Sequence, residues 1–191
     1  MALPAEKERY TFADVLTWEE NERAEIIDGE AVMMAPPSTA HQLISGALFA
    51  QLHNFLEGKK CQVIPAPFAV RLFEKDGDSP DDVDTMVEPD ISVVCDRDKL
   101  DGKGCKGAPD MVVEILSPST HRHDRITKYN LYQRAGVREY WIVEPETQTV
   151  QVFLRNENGL LLPHESYSRE DVAKVNALNG CFIELSKVFP A

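Results

Sequence analysis

PDMVVEILSPST, Pro109 to Thr120, places one acidic residue, Glu114, inside a run of Met, Val, Ile and Leu that otherwise reads as a fully buried strand. In an extended chain alternate residues share a face, so Val112, Glu114 and Leu116 point the same way. A lone carboxylate among such neighbours costs several kcal/mol, on the order of that for a buried ion, unless a cation, a proton or a lysine meets it. The rest of the chain should therefore hold a counterpart to Glu114.

Working outward, the stretches 61–73 (CQVIPAPFAVRLF) and 91–95 (ISVVC) are β-branched and aromatic enough to predict strands, with the acidic loop EKDGDSPDDVD between them. Downstream, DRITKYNLYQRA from Asp124 to Ala135 predicts a helix closed by Gly136, and YWIVEP and VQVFL predict two further strands. Upstream, STAHQLISGALFAQLHNFLEG follows Pro36 and Pro37 with Ile44, Leu48, Leu52 and Phe55 at helical spacing and Gly58 as a stop. Before it, RAEIIDGEAVMM predicts a hairpin turning at Asp28-Gly29. TFADVLTWEENE, residues 11–22, predicts a short amphipathic helix with Phe12, Val15, Leu16 and Trp18 inward. After a helix-hairpin extension the order is helix, three strands, helix, two strands, an α/β (α+β) chain. The tail from Leu160 predicts a turn, short strands and an amphipathic end.

The length of 191 residues suits one domain over 1–191 with a sizeable core. A formal net charge of −12 disfavours broad attraction to nucleic acid through a basic surface, although the acidic loop supplies much of the excess. Cys61, Cys95, Cys105 and Cys181 form no CxxC pair, which argues against a zinc knuckle and a redox motif and predicts free thiols in a reducing cytosol. No apolar run reaches about 18 residues and MALPAEKERY lacks a signal-peptide core, so a soluble cytoplasmic protein is expected.

A second carboxylate, Asp90 in VEPDISVV, stands at the entrance to an apolar strand. If the two strands are neighbours, Asp90 and Glu114 approach each other and repel unless a proton or cation lies between them. Oxygen ligands with waters in the remaining positions suit Mg²⁺ or Mn²⁺ rather than zinc. Asp124 and Lys128 are spaced i, i+4 on the following helix, and Lys128 is the nearest downstream lysine able to swing back. Its ammonium would orient a water or stabilise charge on a scissile phosphate. The plainer reading makes Asp90 a turn residue and Asp124 with Lys128 a surface pair contributing about 0.3 to 0.5 kcal/mol.

EPD at 88–90, APDMVVEILSPSTHRHDRITKYNLYQRAGVREYWIVEP at 108–145 and RAEIIDGEAVMMAPPSTAHQ at 23–42 resemble the Uma-type restriction endonuclease family, within the PD-(D/E)XK nuclease superfamily. The resemblance implies a restriction-endonuclease-like core, a central mixed sheet flanked by helices, with a metal between the second and third strands. It matches Asp90 to the PD aspartate and Glu114 to the (D/E) glutamate, and makes the Ile115 backbone carbonyl a further metal ligand. Leu116 stands where the superfamily pattern has lysine, and Lys128 from the following helix is the implied substitute. DNA is the implied substrate, and a homodimer would pair two active sites on a duplex.

Asp110, in the competing dipeptide Pro109-Asp110, lies about 13 Å from Glu114 along an extended strand, too far to share an ion, and reads as a strand cap. His41 resembles the family's histidine and on that reading would face the site, but a helix-start histidine is more often structural. Glu25 reads by default as an exposed hairpin carboxylate that would otherwise add acidity to the site. Tyr129 and Tyr132 read as core residues with hydroxyls reaching water. His121 and His123 lack a third partner for a metal. A Mg²⁺-dependent nuclease is thus set against a catalytically silent nuclease-fold binding or assembly module, favoured by the acidic surface and the lack of a separate DNA-reading element. An enzyme acting on RNA or a small nucleotide fits the same site chemistry.

Overall fold

The computed structural model describes residues 7–18, 23–117 and 123–189. The N-terminal helix α1 is short, Phe12–Val15, and the part of the predicted helix over 19–22 lies outside the described residues. The hairpin forms as expected from β1 (Ala24–Ile27) and β2 (Glu30–Met33). Asp28 and Gly29 both take positive φ, 50° and 87°, the backbone that a primed two-residue turn requires and that Asp-Gly adopts readily.

Helix α2 (Thr39–Leu56) opens with Ser38 Oγ accepting from the His41 amide at 3.2 Å. Its buried stripe is Ile44, Leu48, Leu52 and Leu56, with Phe55 only partly covered. The expected strand over 61–73 is two pieces in two sheets: β3 (Gln62–Pro65) and β4 (Val70–Arg71), separated by the Pro65-Ala66-Pro67 corner with a cis Ala66-Pro67 peptide. Proline cannot donate to a ladder, so a strand ends or changes sheet there.

Next come β5 (Ile91–Val94), β6 (Leu100–Asp101), β7 (Gly104–Lys106) and β8 (Met111–Ile115). A π-helical turn, His123–Lys128, leads into helix α3 (Tyr129–Ala135), which Gly136 caps at φ 92°. Strands β9 (Glu139–Glu144), β10 (Thr149–Arg155) and β11 (Leu161–Ser168) follow, then the hairpin of β12 (Val172–Val175) and β13 (Cys181–Glu184).

The central sheet has six strands in the order β11-β10-β9-β8-β5-β3. Only β8 and β9 pair in parallel, because α3 crosses between them, and the other neighbours are antiparallel. On one face Val93, Val113, Ile115, Trp141 and Val143 pack against the α2 stripe and the C-terminal hairpin. On the other, Val94, Val112, Leu116, Tyr140 and Ile142 pack against Leu131 and Tyr132 of α3, with Ile27 of β1 and Val70 of β4 beside them. Glu114 faces this second side. Among the described residues no helix is long and apolar enough to cross a membrane.

Two sequence expectations about polar residues resolve differently. Asp110 is a strand cap as read: Oδ2 accepts from the Cys95 amide at 2.8 Å and Oδ1 from Arg138 Nη1 at 2.9 Å. The expectation of four free thiols is corrected by a disulfide between Cys61 and Cys95. Gln62 pairs with Val94 across β3 and β5, so the next position outward brings these two cysteines face to face, a register that spacing along the chain does not reveal. Cys105 and Cys181 are free and buried. The compartment inferred from free thiols loses that support.

Leu48 is fully buried between α2 and the sheet. Leu48→Ala should therefore lower unfolding free energy in urea by about 2–5 kcal/mol. Asp110→Ala should cost about 1–3 kcal/mol by stranding the Cys95 amide, read the same way.

Candidate active site

The last ladder pair of β5 and β8 is Ile91 with Val113, and one step further Asp90 stands opposite Glu114. The neighbourhood expected from the sequence is therefore realised at the end of the β5–β8 ladder, where the chain leaves the sheet. Asp90 Oδ2 accepts from the Ile115 amide at 2.7 Å and meets His41 Nε2 at 3.1 Å. A carboxylate has no proton to give, so Nε2 carries the hydrogen, and Nδ1 is the acceptor in the neutral ring and a second donor in the imidazolium. His41 Nδ1 is buried without a hydrogen-bond partner.

Glu114 is 3% exposed, and its Oε1 accepts from Lys128 Nζ at 2.9 Å and from the Tyr132 hydroxyl at 2.5 Å. The ammonium is also 2.8 Å from Glu25 Oε1 and 3.8 Å from Asp124 Oδ1. Lys128, Glu25 and Asp124 are all buried. Three buried carboxylates thus surround one ammonium, and Asp90 lies at the margin of the group.

Burial raises the Glu114 pKa well above the ordinary value, repulsion from Asp124, Asp90 and Glu25 adds to it, and the Lys128 ammonium opposes it. Burial works against the charged lysine, yet Glu114, Glu25 and Asp124 together lift Lys128 above its usual value and keep it an ammonium. The same balance acts on His41: burial disfavours the imidazolium, while Asp90, Asp124 and the Ile115 backbone raise its pKa overall.

Asp90, Glu114 and Lys128, drawn from separate stretches of sequence, are therefore brought together, and Ile115 lies beside Asp90. Asp110 is not among them. Two residues are repositioned relative to the sequence reading. Glu25 is a buried partner of Lys128 rather than an exposed hairpin carboxylate, and His41 touches Asp90 across the sheet edge. All four residues of AEII are buried in the folded hairpin, and the sequence carried no signal for this beyond the apolar neighbours Ala24, Ile26 and Ile27.

The tyrosines are corrected too: Tyr132 donates to Glu114 and Tyr129 to the Leu161 carbonyl, so neither hydroxyl depends on water. His121 and the side chain of His123 lie outside the described residues.

The donor set fits a hard divalent ion in one respect. Among the described residues nothing donates to Asp90 Oδ1 or Glu114 Oε2, so each carboxylate keeps an oxygen available on facing strand positions. Among the described residues no three His, Cys, Asp or Glu side chains gather in ligating geometry. The protein would supply two carboxylates and a backbone carbonyl, with water completing the shell.

A carboxyl whose pKa is raised on folding contributes stability below its unfolded value, here near 4.5, and loses it as pH rises through the folded value. Glu114→Gln should consequently raise the cation-free Tm more at about pH 8 than at about pH 5, measured by calorimetry in EDTA.

The family model Uma2, described as "Putative restriction endonuclease", matches residues 12–186. An "Uncharacterized protein slr1290" of Synechocystis sp. (strain ATCC 27184 / PCC 6803 / Kazusa) is 27% identical over 167 residues, covering 85% of this chain and 84% of that protein. A crystal structure of a "putative nuclease belonging to DUF820" from Anabaena variabilis ATCC 29413 aligns with a TM-score of 0.71 at 18% identity, covering 94% of this chain and 97% of that one. The fold is accordingly restriction-endonuclease-like, a mixed sheet with few helices. With the family model spanning nearly the whole sequence, the chain belongs to the Uma2 family.

Proposed function

We propose that the protein is a divalent-cation-dependent nuclease that hydrolyses DNA phosphodiester bonds, with Mg²⁺ or Mn²⁺ held by Asp90, Glu114 and the Ile115 carbonyl. The observation that carries this reading is the convergence of acidic side chains: Glu25, Glu114 and Asp124 are buried around the Lys128 ammonium, and Asp90 stands opposite Glu114 on the next strand. Carboxylates gathered this closely in a buried site call for a proton or a cation among them. The family description and the described nature of the structural relative point the same way.

A divalent cation bound here would activate water for attack and polarise a phosphoryl oxygen. The chain's own contribution is orientation. The Ile115 amide and His41 hold Asp90 by one oxygen, so its other oxygen is directed outward. Tyr132 and Lys128 do the same for Glu114. Lys128, kept charged by its carboxylates, supplies a fixed positive group for the charge that develops on the phosphate.

A second reading, a nuclease-fold module that binds or assembles without cutting, draws on the net charge of −12, which repels a polyanion. The two separate in one experiment. Supercoiled, linear and single-stranded DNA are incubated with Mg²⁺ or Mn²⁺ and wild type, Glu114→Ala or Asp90→Asn. The nuclease reading expects both variants to lose about 100-fold or more in rate. Equal background cleavage by all three proteins would end it, and Mn²⁺ binding without cleavage would favour the silent module.

Because a raised Glu114 pKa means that an incoming cation displaces a proton, Mn²⁺ affinity should increase from about pH 5.5 to about pH 8. Calorimetry in two buffers of different ionisation enthalpy should record proton release, and that release should vanish in Glu114→Gln. Self-association, the means by which two sites would meet opposite strands, is checked by sedimentation with and without duplex DNA.

A further inference from the structure

Lys128 and Asp90 reach the site from different parts of the chain, and a single side chain outside both is bonded toward each. Glu25 Oε1 is 2.8 Å from Lys128 Nζ and accepts the Glu88 amide at 2.9 Å, two residues before Asp90. The N-terminal hairpin is fastened to that same approach by backbone bonds. Ile26 and Met86 exchange hydrogen bonds at 2.8 and 2.7 Å, and the Gly29 amide donates to the Asp84 carbonyl at 2.8 Å. Arg23 pairs with Glu88 at 2.5 Å.

Charge neutralisation does not account for Glu25. Lys128 already has Glu114 at 2.9 Å and Asp124 at 3.8 Å, so neutralising the ammonium does not require a third carboxylate. A hairpin that served only as covering would leave a mid-strand glutamate in solvent, whereas Glu25 is 3% exposed. What the third carboxylate does add is direction: it gives the ammonium a second close acceptor beside Glu114 and ties it to the segment bearing Asp90.

We infer that Glu25 is a positioning residue, which aims Lys128 and fixes the approach to Asp90, so that the N-terminal hairpin is part of the catalytic centre. The inference rests on the nuclease reading for the reaction it serves; the positioning itself is testable without cleavage.

The first measurement uses the wild-type protein, with the Lys128 ammonium observed by nitrogen-detected NMR and assigned through Lys128→Met. A slowly exchanging signal with a correlation to the Glu25 carboxyl carbon is expected. An ammonium exchanging freely with water, or one coupled only to Glu114, overturns the inference, and this holds even if every Glu25 variant fails to fold.

The second measurement uses Glu25→Gln, which keeps the size and one acceptor. Exchange at Lys128 should accelerate about 10-fold or more, with kcat on DNA reduced about 10- to 100-fold and KM changed less than about 2-fold. In the Lys128→Met background the same substitution should have no additional effect on kcat, because it acts through the lysine. Unchanged ammonium exchange, or full additivity of the two substitutions, overturns the inference. If the wild type cuts no DNA, the nuclease reading fails and the ammonium measurements alone judge the positioning of Lys128.

Discussion

The Lys128 ammonium, bonded to both Glu25 and Glu114, is the contact on which the rest of this structure converges. It links the N-terminal hairpin, the central strand β8 and the helix that crosses from β8 to β9. A buried ion group of this kind is a poor source of net stability, since desolvation offsets much of the attraction, but removing one member leaves a charge stranded. Among the described residues three buried carboxylates converge on that one ammonium.

The sheet explains why this acidic group sits where it does. Ile91 pairs with Val113 at the end of the β5–β8 ladder, so Asp90 and Glu114 lie one step beyond its last pair, Glu114 buried and Asp90 partly exposed. The flanking hydrophobic positions on both faces lock the register, because a slip of one residue would turn Glu114 into the α2 face among Ile44, Leu48 and Leu52. Asp90 is then held by a main-chain amide and a histidine from α2, while Glu114 is held by a tyrosine and a lysine from α3 and its preceding turn. Each layer of the fold contributes one orienting group. A π-helical turn ends at Lys128, and such turns recur at functional sites.

The acidic surface bears differently on the chemistry than the bare charge count implies. Within the acidic loop, Glu74 engages Arg71, whose side chain is fully buried and also meets Asp101 of β6, Asp76 pairs with Lys106 at 2.9 Å, and Asp84 pairs with Arg9. Part of the excess is therefore consumed in local ion pairs rather than projected as a field. Exposed pairs of this kind contribute little to stability, and salt screens what remains.

Residue pattern alone determined the succession of elements, because turn chemistry at Asp28-Gly29, the α2 stripe and the β-branched runs are all local signals. It also marked Glu114, since a carboxylate in an apolar strand conflicts with its neighbours wherever the strand goes. Local pattern placed less well what depends on pairing. The run 61–73 read as one strand although two prolines send its halves to different sheets, and Cys61 and Cys95 read as free thiols although strand register makes them partners. Glu25 read as exposed because a hairpin residue's environment is set by whatever the hairpin packs on, and His41 read as structural because Asp90 lies 49 positions away. The sequence by itself determined which residues had to be partnered; tertiary structure decided by what, since burial and charge pairing act through space and not along the chain.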